Sequence, residues 1–205
     1  MLNDLIVNFN FSDILHHPGR IFSPLLAVAL AATAVIVILH LILALLGGRA
    51  AKPRKRFNIW EKLVYLGALV SVAVLGITSF FTVLRFGGMH GWWLFAHMFG
   101  AGALTGVLPL LALTWCGANR FERMTRQQRD EAVWPRFFWI PRVMFWLFLL
   151  AGFTVLITML VSMLPLFGTD GLNVLLDIHR YAGLLAVVAL FIHFYCVLLQ
   201  RVQLR

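Results

Sequence analysis

The sequence predicts an all-α integral membrane protein, one bundle of five transmembrane helices with its amino terminus outside and its carboxyl terminus cytoplasmic. Three observations carry that expectation. Of 205 residues, 61% are hydrophobic and only 12% charged, with a mean hydropathy of +0.90, where soluble domains carry about 25% charged residues. The charges collect in short connections and leave five apolar stretches, each long enough to supply the about 20 residues that cross a hydrocarbon core. The basic residues fall almost entirely in alternate connections.

Taken in order, the first helix is expected over 21–46, an apolar run interrupted by nothing stronger than His40. The second, 60–84, is free of Asp, Glu, Lys and Arg from Leu63 to Leu84, and the third, 91–117, from Gly91 to Asn119. The fourth is expected over 142–166 within the uncharged run Val143 to Thr169. The fifth, 173–200, joins the uncharged Tyr181 to Gln200 to a leading segment that contains Asp177 and Arg180. Ahead of the first helix, Leu2, Leu5, Ile6 and Phe9 suggest a short interfacial helix. Asp4 and Asp13 precede Arg20 there, which is not the basic leader of a cleavable signal. The longest polar connection runs from Gly117 to about Pro141, so a single domain over 1–205 is expected.

The net charge of +9 is explained by its distribution. Arg49, Lys52, Arg54, Lys55, Arg56 and Lys62 lie between the first two helices, and Arg120, Arg123, Arg126, Arg129, Arg136 and Arg142 between the third and fourth. Arg201 and Arg205 share their side; only Arg20, Arg85 and Arg180 oppose them. Short basic loops stay cytoplasmic, so the charge signals topology with some attraction to anionic lipid, and no nucleic-acid partner is needed. Trp92 and Trp93 on one side and Trp134 and Trp139 on the other mark the bilayer interfaces. Cys116 and Cys196 fall toward the cytoplasmic ends of their helices and read as inert thiols. With no C-x-x-C-H in the chain, covalently attached c-type haem is excluded.

The histidines are the informative residues. His179 and His193 are fourteen positions apart on the fifth helix, which returns both rings to within about 40° of one face and separates them by about 21 Å. His97 stands six residues after Gly91, near the depth of His179; His40 stands six before Leu46, near the depth of His193. Counting therefore pairs His97 with His179 on the outer side and His40 with His193 on the inner side. Ionisable residues in hydrocarbon are costly and mark function. Two opposed neutral imidazoles at each depth are suited to hold haem iron on both axial positions, leaving no open coordination site and a one-electron carrier. The four candidate ligands are His97, His179, His40 and His193. His90 is the rival of His97, seven residues earlier on nearly the same face; His16 and His17, before Pro18, read as surface residues. Gly100, Gly102, Gly106 and Gly183 would let a flat ring or a neighbouring helix approach, and Arg180 would pair with a propionate or reach for the interface. Zinc fits poorly, because its ligands converge tetrahedrally. A haem-free membrane anchor and a histidine relay for protons or transport are the alternatives from other classes, although no internal repeat of a transporter is evident.

The segments "HRYAGLLAVVALFIH" and "HMFGAGAL" resemble the cytochrome b subunits that anchor membrane-bound formate dehydrogenases and nickel-iron hydrogenases, over roughly the second to fifth helices. The family's last haem helix likewise carries two ligands fourteen apart. One departure stands out: the family usually has an inner-haem histidine at the start of the helix before the outer-haem one, and "NIWEKLVYLGALV" has none. Either His40 takes its place or the chain is a one-haem variant. The resemblance implies two b-type haems, or one, and a multi-pass subunit of the inner (cytoplasmic) membrane in a respiratory oxidoreductase complex. Electrons would pass between an iron-sulfur or multihaem partner subunit, placed on the outer face, and quinone. The chain has no cysteine cluster or nucleotide motif, so substrate chemistry is expected on another polypeptide. Glu61, Lys62, Asn119 and Gln200 are polar residues at inner helix ends, none assigned to quinone.

The charge distribution is testable in intact cells. With Cys116 and Cys196 replaced by serine, a membrane-impermeant thiol reagent is expected to label Arg85→Cys and to spare Arg126→Cys; the reverse pattern would invert the topology.

Overall fold

In hydrocarbon no water is available to backbone N–H and C=O groups, so a spanning segment must satisfy them within itself, as a helix does. The five apolar runs obey this. A computed structural model describes residues 18–46, 58–121 and 139–202, and in them lie α1 (Pro18–Leu46), α2 (Ile59–Phe86), α3 (Gly91–Trp115), α4 (Ile140–Ser162) and α5 (Thr169–Val202). All five are long and apolar enough to cross a membrane. The expected interfacial helix at Leu2 to Phe9, His16, His17, Trp134 and most of the two arginine-rich connections lie outside the described residues.

The helix ends follow local chemistry. At the start of α2, the Asn58 side chain accepts from the Glu61 N–H while the Asn58 N–H donates to the Glu61 carboxylate (2.8 Å), a capping box, and the Ile59 N–H also donates to the Asn58 side chain (2.6 Å). The same helix ends on Gly87, whose left-handed φ of 72° suits glycine. Helix α4 stops at Ser162, four residues short of the expected 166, because Pro165 lacks an N–H and disfavours helical backbone in the residue before it. Helix α5 starts at Thr169, four residues before the expected 173, with Asp170 in its first turn, where a carboxylate complements the helix dipole. The remaining ends fall within three residues of expectation: α1 opens earlier at Pro18, α2 gains Ile59, Arg85 and Phe86, and α3 closes at Trp115 rather than 117.

Short connections at 87–90 and 163–168 fold α2–α3 and α4–α5 into hairpins, which pack side by side with α2 against α5 and α3 against α4. Helices α3 and α5 thus stand diagonally across a four-helix core and do not pack directly on each other. Helix α1 leans on α5 and α2 from outside. Its apolar span is only 6% buried against 44% for α2, so most of its surface is left for lipid. The core runs through Ala68, Leu104, Leu108, Leu111, Phe145, Phe148 and Leu190, and a smaller cluster of Phe22, Leu26 and Leu184 fastens α1.

Two of the notable glycines serve helix packing. A Cβ at Gly100 would meet Val74 at 3.1 Å, and one at Gly152 would meet Leu108 at 3.1 Å. Gly102 and Gly106, expected from the sequence to make room for a ring or a helix, differ: a methyl group at either would meet nothing within 4 Å, and both lie on an exposed face.

Leu108 is fully buried under Gly152, whereas Leu113 is 82% exposed on the same helix. Leu108→Ala is expected to cost about 2–5 kcal/mol and Leu113→Ala about 0.5 kcal/mol or less, compared by denaturant unfolding in mixed micelles.

Candidate cofactor site

His97 lies in the second turn of α3 and His179 in the third turn of α5. From these diagonal helices both line one cavity of about 510 Å³, walled by α2, α3, α4 and α5 and touched by Phe22 of α1. That volume is within the about 300–1,000 Å³ of small-molecule and cofactor pockets. Its lining is largely apolar, and its polar side chains are the two imidazoles, Ser79, Thr158, Ser162 and Arg180.

Each imidazole is braced from behind by a threonine of the partner helix in its own hairpin. The Thr78 hydroxyl donates to the Val74 carbonyl at 2.7 Å, and its oxygen lies 3.1 Å from His97 Nδ1. The Thr158 hydroxyl donates to the carbonyls of Thr154 and Val155, each at 2.9 Å, and its oxygen lies 3.2 Å from His179 Nδ1. With each hydroxyl proton on a helix carbonyl, the oxygen accepts from Nδ1–H and Nε2 keeps its lone pair. Metal-binding histidines are held in this way, donating one ring N–H to an outer partner while the other nitrogen binds. Thr78 and Thr158 are not singled out by the sequence, because threonine in an apolar helix commonly just bonds back to its own turn. A signal exists nonetheless: each precedes its histidine across a short loop, by 19 and 21 positions.

At the cavity rim, Arg180 is held by Asp177 at 3.4 Å. Gly183 lines the same space with nothing within 4 Å of its missing side chain. His90 does not share the site: it is the exposed N-cap residue of α3 with its ring against Phe86.

His40 and His193, paired by depth, are engaged on different sides of α5. His193 is 1% exposed. Its Nδ1–H donates to the Pro141 carbonyl at 2.7 Å, and the rings of Tyr65, Trp115 and Phe145 surround it at centroid distances of 5.8, 6.3 and 5.5 Å. His40, half-buried on the peripheral α1, shares a 2.8 Å hydrogen bond with the Tyr195 hydroxyl. Tyr195 stands two residues beyond His193, about 200° further round the helix. Equal depth therefore does not bring the two imidazoles face to face.

A bis-imidazole iron porphyrin fits the residues at His97 and His179: two imidazoles lining one cavity, an apolar wall, and a glycine with open space where its side chain would be. It does not fit at His193 as packed, where the free ring nitrogen is wholly buried among aromatic side chains. No group of three or more His, Cys, Asp and Glu residues able to hold a metal ion occurs among the described residues. Cys116 and Cys196 are free thiols. Glu61 and Asn119 have structural work, the first in the α2 capping box and the second, buried, donating from its side chain to the Trp115 carbonyl. Comparison with family models, curated proteins and solved structures returned no match to the chain.

Proposed function

We propose that this multi-pass membrane protein is a b-type cytochrome, the membrane subunit through which a redox partner exchanges electrons with the quinone pool. One observation carries the reading: on diagonal helices, two histidines, each with Nδ1 against a threonine hydroxyl, line a single apolar cavity. The resemblance of the fifth helix to the anchoring cytochromes b supports the same assignment.

His97 and His179 would hold the haem in the cavity that both line. Iron bound to two imidazoles supplies one-electron exchange, with a potential set by ligand basicity, burial and nearby hydrogen bonds. The chain's residues tune each of these. Thr78 and Thr158 fix ring orientation and raise the basicity of Nε2. The apolar walls exclude water. Arg180, at the rim, is placed to pair with a propionate carboxylate. With no cysteine cluster in the sequence, the iron-sulfur or multihaem partner is a separate subunit, on the outer face as the resemblance implies, and lipid-soluble quinone is the other exchange partner. A haem-free anchor or a histidine relay would use the same rings without a chromophore.

A reduced-minus-oxidised spectrum of the purified protein is expected to show b-type bands. His97→Ala or His179→Ala should abolish them, and His90→Ala should leave them intact. Thr78→Val and Thr158→Val should each weaken haem retention about 10–100-fold. A wild-type preparation without b-type bands overturns the reading.

A further inference from the structure

Toward the end of the bundle that carries the basic loops, two buried polar atoms of neighbouring side chains have no partner among the described residues: the Tyr65 hydroxyl and His193 Nε2. We propose that this level is closed to a second haem, its place taken by a hydrogen bond from the Tyr65 hydroxyl to His193 Nε2, so that the chain carries a single redox centre. The inference rests on the haem reading of His97 and His179 and adds what the other end of the same helix does.

The donor and acceptor roles point to Tyr65. A carbonyl cannot donate, so the 2.7 Å contact to Pro141 makes Nδ1 the protonated nitrogen of His193 and Nε2 an acceptor. A buried acceptor requires a donor. Of the three rings packed on His193, Phe145 has none, and the Trp115 indole N–H donates to the Glu61 carbonyl at 3.0 Å. Tyr65 is 7% exposed. Its ring stacks on Trp115 at 4.5 Å and meets the His193 ring edge-on at 5.8 Å, which leaves its hydroxyl as the aromatic donor next to the imidazole.

The same packing shuts out a porphyrin. Trp115 is 3% exposed and Phe145 fully buried, so a macrocycle at Nε2 would have to displace three aromatic side chains at once. Its second axial ligand would have to come from another helix, and His40 is occupied with Tyr195 on a different side of α5. Tyr65 sits in the stretch "NIWEKLVYLGALV", where the sequence offers no histidine. The chain by itself therefore does not carry an electron across the full bilayer: the level about 21 Å from His179 along α5 has no electron carrier.

Haem content per chain and the ¹⁵N resonances of His193, measured on the full-length protein in detergent, test this. One haem per chain is expected in the wild type, in His193→Ala and in Tyr65→Phe. The His193 Nε2 resonance should shift from its hydrogen-bonded to its free position in Tyr65→Phe, a variant that keeps the ring and its packing. Two haems per wild-type chain, loss of half the haem in His193→Ala, or an unmoved resonance in Tyr65→Phe would overturn the closed site. A wild-type protein free of haem would sink the functional reading alone, and the resonance would still decide the Tyr65 pair.

Discussion

A hydrogen bond from a histidine Nδ1–H to a threonine oxygen, made where water cannot compete, is the interaction on which the rest of this structure depends. A buried polar group left unpaired costs about 1–3 kcal/mol, so an imidazole among apolar side chains needs a partner for each nitrogen. The hairpins supply one. With the Thr78 and Thr158 protons on helix carbonyls, the hydroxyl oxygens accept from Nδ1–H of His97 and His179. Both rings line a cavity that contains few protein groups able to satisfy a second ring nitrogen.

The bundle provides that cavity through its layout. Neighbouring helices in a four-helix core close on one another, but the diagonal pair α3 and α5 does not, and the space between them is where two opposed side chains can face across a gap. Small residues draw neighbouring helices together: Gly152 of α4 admits Leu108 of α3, and Gly76 of α2 admits Val187 of α5. Near His179, Gly183 admits nothing. At the other end of α5 the diagonal space is filled by Tyr65, Trp115 and Phe145 around His193, so one helix carries two histidines into very different surroundings.

The five helices are legible in the sequence because hydrocarbon imposes a length and a composition that few other constraints disturb. Their ends are less so. Pro165 is visible as a helix breaker, but the uncharged run continues past it to Thr169, and the length of that run argues for a longer helix than the one that forms. Counting residues places His97 and His179 at one height, and both line one cavity. The same count matches His40 to His193, because height along a helix says nothing about where the helix stands in the bundle. Helix α1 stands outside, and His40 meets Tyr195 there. The bracing threonines are illegible for a different reason: their bond to the preceding turn is what any mid-helix threonine does, and only the fold shows that a histidine lies behind each. Gly102 and Gly106 carry a contact spacing, yet they face away from every described neighbour.

Moving an electron against 100 mV costs about 2.3 kcal/mol, so in the proposed reading the position of the haem along the membrane normal would decide how much of the field an electron crosses within this chain. Electron paramagnetic resonance of the oxidised protein in native membranes tests the assignment of that level most directly. A single low-spin ferric signal of bis-imidazole type, integrating to one spin per chain and absent when His179 is replaced, is the expected result. A high-spin signal, a second low-spin species of equal intensity, or a signal that survives the loss of His179 would contradict it.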